Sequence, residues 1–477
     1  MDLKNGVFKF RPGRQVLIPK SSVKSEKRKL IIVSPREKVV QKGIEIIFNR
    51  YFDPLMSKSS HGFRSTRGVQ TAIRQVDSDL QSAKYVVEGD LRKAFDSIPH
   101  DKLMSKLKEH IKCVKTQKLI ESLLKAGYHD GKTIVKPKTG VPQGSVISPL
   151  LCNIYLTELD DLLEKIKEKY NQTVNRSRKH PEYNKIACRI GNINRNMKSL
   201  GDAGRLEATK LRRKLLRTPS KRLEKINITY VRYVDDFVIG VEGPKSLAIR
   251  IREEVRSHLE TMGLEMNMDK IRITDFERDY ITFLGFRIKN LNRNEKAFEV
   301  LLDKKIGRKI TRRKKVRLSF ELDYHKILDK LKESGIIRLR TRKTSNEKMD
   351  LIHRGRFRGN LIHLDHPDIL NNYNAMARGI YNYYCICRNH NQLYNILWLL
   401  KESCSLTLAR KFKMRTMKKV FSKFGKDLAF KKLVTLDGKD YLKVYKFFKP
   451  VDTKRVNITK WAPIRDIDEL IELLSKK

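Results

Sequence analysis

Acid is what this chain has too little of: 54 Asp and Glu face 104 Lys and Arg, leaving a formal net charge of +50 across 477 residues. Charge of that size repels itself in a free protein and demands a polyanion, so nucleic acid is the expected partner. Long apolar runs are missing as well. No stretch approaches 18 uncharged apolar residues, which excludes a spanning helix and gives no reason to expect a membrane partner. The six cysteines, Cys113, Cys152, Cys188, Cys385, Cys387 and Cys404, include no CxxC pair. Neither a zinc ribbon nor a disulfide framework is indicated, and a reducing compartment fits. Cys385 and Cys387 read as buried thiols. Met1 to Phe10 has no apolar signal-peptide core, although a processed organellar protein, or one made inside an organelle, would look the same.

What is present is a globular composition, 40% hydrophobic, in a chain long enough for two to four cored domains. The positive charge runs the whole length and implies an extended binding surface, not a basic tail. Strand-like pieces at Gln15–Pro19 and Lys29–Val33 precede a helix expected over Val39–Tyr51. His61-Gly62-Phe63-Arg64 reads as a loop before a Gly68–Gln81 helix, and Tyr85–Asp90 as a buried strand ending in a carboxylate. Asp101–Leu124 reads as helical, Pro142-Gln143-Gly144-Ser145 as a turn, and Pro149 to about Lys169 as an apolar helix.

Residues 170–226 are basic and polar, with 'RSRKHPEY' and 'KLRRKLLRTPSKR'. They read as an insertion of helices and loops laid on RNA or DNA; a solvated linker arm is the plainer alternative. A Ser246–Met262 helix and strand pieces at Lys270–Thr274 and Ile281–Ile288 follow, a mixed order that implies an α+β domain with an antiparallel sheet. Residues 301–345 read as a basic helical unit, 350–435 as another rich in Tyr and Arg, and the last 40 as a basic tail with aromatics.

Tyr233-Val234-Asp235-Asp236 stands out from this background. Apolar runs flank it, Ile228 to Val234 and Phe237 to Val241, so it reads as a hairpin whose turn carries Asp235 and Asp236. A fold gains nothing from two negative charges crowded there, whereas metal chemistry on a triphosphate does. If the Asp90 strand lies beside the hairpin, three carboxylates converge, and two Mg²⁺ ions about 3.5–4 Å apart fit such a site. Mg²⁺ is the expected metal because the ligands are hard oxygens without a His or Cys cluster. Asp96 is expected to cap the turn before a helix starting near Pro99.

Together these segments resemble the group II intron-encoded proteins, reverse transcriptases that double as maturases. 'YVRYVDDFVIG' is similar to the family's catalytic hairpin, with Val234 where Ala is usual. 'HGFRSTRGVQTAI', 'EGDLRKAFDSIPHDKL', 'TGVPQGSVISPLLCNIYLTELD', 'LEMNMDKIRIT' and 'FLGFRI' match its other motifs, six in order within residues 29–288. The resemblance implies that Asp90, Asp235 and Asp236 are the catalytic metal ligands. It implies that Phe95 is a steric gate against the ribose 2′-OH, with core packing the plainer alternative. Arg64, in the matching motif, and Lys38 offer charge to the triphosphate; Lys38 reads equally as a solvated lysine. Gln143 and Gly144 form a turn that touches template and incoming nucleotide. Lys270 is a general acid toward pyrophosphate, a phosphate ligand or a structural lysine.

Tyr373 to Tyr384 combines dense Tyr with a central Arg378, a pairing suited to stacking on bases and clamping RNA backbone. An amphipathic core helix is the alternative. With 'SCSLTLARKFKM' and 'VFSKFG' the stretch resembles the family's maturase domain X, and Tyr373, Arg378, Tyr383, Tyr384 and Lys411 are its expected RNA contacts. No His or Cys follows Gly425, so the expectation is that this chain lacks the C-terminal endonuclease. About 14 residues precede 'RQVLIPK', so either the chain begins late or a helical part of the fingers is absent.

The implied fold is α+β: a right-hand polymerase with fingers, palm and helical thumb, and a helical domain X. Residues 1–295 would be fingers and palm (170–226 the basic insertion), 296–349 thumb, 350–440 domain X and 441–477 a basic tail. The implied partners are group II intron RNA, an RNA template with DNA primer, and deoxynucleoside triphosphates. The mitochondrial matrix is the expected compartment, with bacterial cytoplasm or plastid stroma as alternatives. Rival readings are a splicing-only maturase, a reverse transcriptase without a splicing role, and an RNA-packaging protein.

Overall fold

The structure, a computed structural model, describes residues 2–20, 23–171, 177–179, 181–217, 221–223, 226–268, 271–291, 298–302, 309–313, 318–343, 349–436, 439–450, 458 and 461. It is α+β and divides into two units, Met1–Val16 with Leu30–Asp279 and Leu17–Lys29 with Tyr280–Lys477. The first is built on a four-stranded antiparallel sheet in the order Arg272–Asp275, Tyr85–Asp90, Asp236–Glu242, Asn227–Tyr233.

The two inner strands are apolar along their length because both faces are covered. Val86, Val87, Val238 and Ile239 are all buried. Side chains alternate across a strand, so Val87 and Ile239, paired in register, share one face. That face joins a core with Leu151, Leu156 and Leu159 of the Ser148–Asn171 helix and Ile251, Val255 and Leu259 of the Lys245–Met262 helix. The Lys245–Met262 helix sends one apolar stripe inward at three- and four-residue spacing, whereas Ser148–Asn171 is buried on every side from Leu150 to Leu156.

The Tyr85–Asp90 strand falls where the sequence puts it, and four helices lie close to their expected bounds, at Pro35–Phe52, Val69–Asp79, Ser148–Asn171 and Lys245–Met262. Asp101–Leu124 is not one helix. It breaks into His100–His110 and Val114–Lys125, and Val114, which a continuous stripe would bury, is 58% exposed. The basic insertion holds helices Pro181–Arg195 and Met197–Arg217, and its ends pair as a short ribbon, Ser177–Lys179 with Lys221–Leu223.

In the second unit, strands Ile281–Phe283, Phe286–Asn290 and Leu318–Leu322 form a sheet, followed by a Tyr324–Glu333 helix and an Ile337–Lys343/Met349–Gly355 ribbon. The helical unit expected over 301–345 is therefore corrected. Among the described residues it is mainly strand with one ten-residue helix. The reason is period: Leu318-Ser319-Phe320-Glu321-Leu322 and Ile337-Arg338-Leu339-Arg340 alternate every second residue. Helices His366–Tyr384, His390–Lys411 and Met417–Phe424 follow, then a Phe430–Leu436/Lys439–Tyr445 ribbon. Cys385 and Cys387 are buried, as expected.

Candidate active site

The ladder of the central hairpin closes at Tyr233 and Asp236, leaving Val234 and Asp235 as its two-residue turn. Asp236 is thus the first residue of the return strand and not part of the turn, a one-residue correction. Asp90 is its cross-strand partner, on the face shared by Val86, Glu88 and Val238. Asn267 holds the end of the Asp90 strand: its amide N–H donates to the Asp90 carbonyl at 2.9 Å and its Nδ2 to Asp90 Oδ2 at 3.1 Å. All three aspartates are half-buried, at the rim of a buried sheet.

Three carboxylates without sulfur or imidazole are a donor set for a hard divalent cation. Among the described residues, however, no group of three or more His, Cys, Asp or Glu forms a ready-made cage.

Val234 is a β-branched residue with φ of +60°, in left-handed space that such side chains avoid. Its side chain is nevertheless buried, against the space where Gly62 lacks a Cβ. Beneath the turn lies the fully buried ion pair of Arg232 and Asp160. Arg232 Nε and Nη2 donate to Asp160 Oδ1 and Oδ2 at 2.7 and 2.6 Å, and Nη2 also to Ser60 Oγ at 2.8 Å. Nη1 donates to the Val234 carbonyl at 2.9 Å and to Asn153 Oδ1 at 3.3 Å. Asn153 Nδ2 donates to the Gly62 carbonyl at 2.6 Å. Sequence reasoning missed Arg232, Asp160 and Asn153. The available signal was a charged residue inside an apolar strand.

Phe95 is half-buried against the core, and its carbonyl accepts from Val141 N–H at 2.7 Å. That bond ties it to the Pro142–Ser145 turn. Gln143 donates through Nε2 to Asp96 Oδ1 at 3.3 Å, and its carbonyl accepts from Ile31 N–H at 2.7 Å. Gly144 has φ of +102°, and a Cβ there would sit 2.7 Å from the Ile31 carbonyl oxygen, so the turn needs glycine. Asp96 lies in the four-residue Ala94–Ser97 helix, just before Pro99 at the N-cap position of His100–His110.

Arg64 does not present its fork to an anion. Nε donates to Asp53 Oδ1 at 2.6 Å, Nη1 to the Ser57 and Ser60 carbonyls, and Nη2 to the Asp53 carbonyl. The side chain is buried and clamps the Asp53–Ser60 loop, which corrects the expectation of a triphosphate contact. Lys38 is exposed in the first turn of its helix. Lys270 lies outside the described residues. His61, beside Arg64, approaches Thr71 and Gln75 at 2.9 and 2.6 Å, and burial lowers its pKa to about 4.

Of the expected RNA contacts, Tyr373 is fully buried, its hydroxyl bonded to Ser403 and Thr407 at 2.8 and 3.0 Å, so it is a core residue. Tyr383 stacks on Phe286 and donates to the Leu284 carbonyl at 2.8 Å, and Tyr384 tilts against the same ring. Both are packing residues with half-exposed edges. Arg378 is exposed, and Lys411 reaches the Ile362 carbonyl at 3.4 Å.

Two family models match the sequence. The reverse transcriptase (RNA-dependent DNA polymerase) model matches residues 18–177 and 208–288, and the type II intron maturase model residues 315–464. The putative COX1/OXI3 intron 1 protein of Saccharomyces cerevisiae is 36% identical over 90% of this chain and 49% of its own length. The group II intron-encoded protein LtrA of Lactococcus lactis is 32% identical over 88% of this chain and 68% of its own length. The uncharacterized mitochondrial protein ymf11 of Marchantia polymorpha is 26% identical over 82% of this chain and 55% of its own. The chain spans about half the length of several such relatives. A telomerase structure from Candida albicans, at 14% identity and a TM-score of 0.42 over 89% of this chain and 57% of that one, is too slight a likeness to bear on the fold. On the two family matches, and on the 32% identity across most of LtrA, the chain belongs to the group II intron-encoded proteins, the reverse transcriptase–maturase family.

Proposed function

We propose that this chain binds a group II intron RNA, assists its splicing, and copies RNA into DNA from deoxynucleoside triphosphates. The observation that carries the polymerase part is Asp90 in register with Asp236 beside Asp235, three carboxylates on one rim of a buried sheet. Asp90, Asp235 and Asp236 would hold Mg²⁺, two ions on this reading, which would supply positive charge to the triphosphate and to the 3′-oxygen of the primer. The Gln143–Gly144 turn lines the nucleotide pocket, and Phe95 excludes a ribose 2′-OH from it. Lys38 contributes charge toward phosphate, and Lys270 remains the candidate proton donor to pyrophosphate. Arg64 serves by holding its loop.

In this reading residues 1–295 are fingers and palm, with 170–226 a basic insertion on nucleic acid. Residues 296–349 are a thumb whose described part is mainly strand, 350–440 domain X, and 441–477 a basic tail. Splicing chemistry belongs to the RNA. The protein supplies positive charge that offsets repulsion between packed phosphates, with Arg378 and Lys411 among its contacts. The name of the liverwort relative favours the mitochondrial matrix over bacterial cytoplasm or plastid stroma.

The test is Asp235→Ala, assayed by primer extension on poly(rA)/oligo(dT) and by intron binding at matched concentrations. DNA synthesis is expected to vanish with intron affinity nearly unchanged. Residual synthesis above about one per cent of wild type would sink the ligand assignment. A wild-type chain that promotes splicing and never extends a primer would reduce the reading to a maturase alone.

A further inference from the structure

We propose that Arg232 is a positioning residue of the polymerase, fixing the left-handed Val234 and through it the stance of Asp235 and Asp236. The inference rests on the polymerase reading above. Its basis is that each of the five N–H donors of a buried guanidinium has a partner, and one partner is the carbonyl of the turn residue itself.

A buried ion pair is a poor device for stability alone. Desolvation of both charges offsets most of their attraction, and a well-packed apolar pair of similar volume does as well or better. The pair here does something an apolar pair cannot. Left-handed φ is unfavourable for a β-branched residue, so Val234 relaxes toward ordinary strand geometry unless its surroundings over-determine it. Arg232 Nη1 holds its carbonyl, and the bare Cα of Gly62 leaves the space its side chain fills. Asn153 ties these two restraints together, accepting from Arg232 and donating to the Gly62 carbonyl. Asp160 fixes the fork from behind with two bonds, and Ser60 takes the remaining donor. The peptide after Val234 is the one that bears Asp235, so rotation there swings the carboxylates. Lysine, a point donor, cannot span Asp160, Ser60, Asn153 and Val234 at once.

Two variants of the full chain test this. Arg232→Lys keeps the charge and loses the fork; Arg232→Met with Asp160→Leu replaces the pair by apolar residues. Both are measured by thermal melting, primer extension, Mn²⁺ binding by electron paramagnetic resonance, and hydrogen exchange at the Val234–Asp236 amides. The expected result is a melting temperature for the double variant equal to or above wild type, with kcat for deoxynucleotide incorporation down about 100-fold. KM for the nucleotide should change far less. Mn²⁺ affinity should fall about tenfold in both variants, and exchange at the turn should quicken. A folded double variant with wild-type kcat and Mn²⁺ affinity would overturn the proposal, leaving a merely structural pair. Should the double variant not fold, Arg232→Lys decides alone by the same two readouts. Mn²⁺ binding, with Asp235→Asn as the control that loses it, reads the positioning without any turnover. A wild-type chain that binds Mn²⁺ but makes no DNA would sink the polymerase reading, whereas unchanged Mn²⁺ affinity and turn exchange in the variants would sink the positioning by Arg232.

Discussion

Asp90 stands directly across the antiparallel ladder from Asp236. Like charges in that position are destabilising by roughly 0.2–1 kcal/mol. The fold therefore carries a small penalty at its most chemically suggestive point. Asp90→Asn should raise the melting temperature by about 1–3 °C and reduce DNA synthesis to background. Differential scanning calorimetry beside primer extension checks both halves. A variant that lost stability along with synthesis would mean that the carboxylates stabilise the fold.

Phe95 has two roles open to it, and selection between nucleotides separates them. Its ring is half-buried against the core, so Phe95→Val opens space without emptying the centre of the unit. Ribonucleotide incorporation relative to deoxynucleotide should rise at least tenfold if the ring excludes a 2′-OH, a change of about 1.4 kcal/mol in discrimination. Single-nucleotide extension with each pair of triphosphates measures it. An unchanged ratio with a lowered melting temperature returns Phe95 to packing.

Arg64 and Lys38 should part company on mutation. Removing the buried Arg64 fork by Arg64→Ala breaks four hydrogen bonds, one to a carboxylate, and should cost about 2–4 kcal/mol. Lys38→Ala, at an exposed site, should leave stability within about 0.5 kcal/mol. Urea titration gives both values. A nucleotide KM raised by Arg64→Lys at unchanged stability would restore Arg64 to the pocket.

Arg378 is exposed on the Tyr-rich helix, whereas Tyr373 is inside it. Arg378→Glu should weaken intron binding and protein-assisted splicing, and reduce the slope of log affinity against log salt by roughly one unit. Synthesis on a generic template should fall much less. Tyr373→Phe should do the reverse, lowering stability by about 1 kcal/mol through its lost hydroxyl bonds and sparing RNA affinity. Filter binding across a salt series, with thermal melts, distinguishes the pair.

His61 makes acid a probe of the loop behind the turn. Burial, and then the charges of Arg67, Arg64 and Arg232, lower its pKa from 6.5 to about 4, against a hydrogen bond to Gln75 that raises it. Between those values the unfolded chain binds the proton and the folded chain does not. Stability therefore rises with pH across that window and is lost on acidification from 6.5 toward 4. His61→Gln should flatten part of this dependence, read as melting temperature against pH. His366, in the second unit and likewise lowered to about 4, supplies a similar slope that the substitution leaves in place.

Much of the acid-bearing sheet was legible because it breaks a rule visible in one dimension. Carboxylates at the ends of apolar strands have no business in a core, and Asp90, Asp235 and Asp236 announce themselves. The roles of Arg64 and Tyr373 are not legible in the sequence, for a physical reason. A guanidinium or a phenol has the same letter whether it faces RNA or a neighbouring carbonyl, and only the fold tells which. In residues 301–345 the dense basic charge masks the strand period, and the alternation in Leu318–Leu322 and Ile337–Lys343 is the better guide. Arg232 was hidden by the louder acid pair three residues on. Its partners, Asp160 and Asn153, lie some 70 to 80 positions away, and sequence distance conceals such pairings.

The strands that end in Asp90 and begin with Asp236 are the two inner members of their sheet, each bonded on both sides. Fraying starts at the margins, here the Arg272–Asp275 and Asn227–Tyr233 strands, and the latter is itself shielded by a bridge from Ser60 to Arg232. Breathing motions that open the margins leave Asp90 and Asp236 paired. On gradual heating, then, the pairing of Asp90 with Asp236 should persist until this unit melts as a whole.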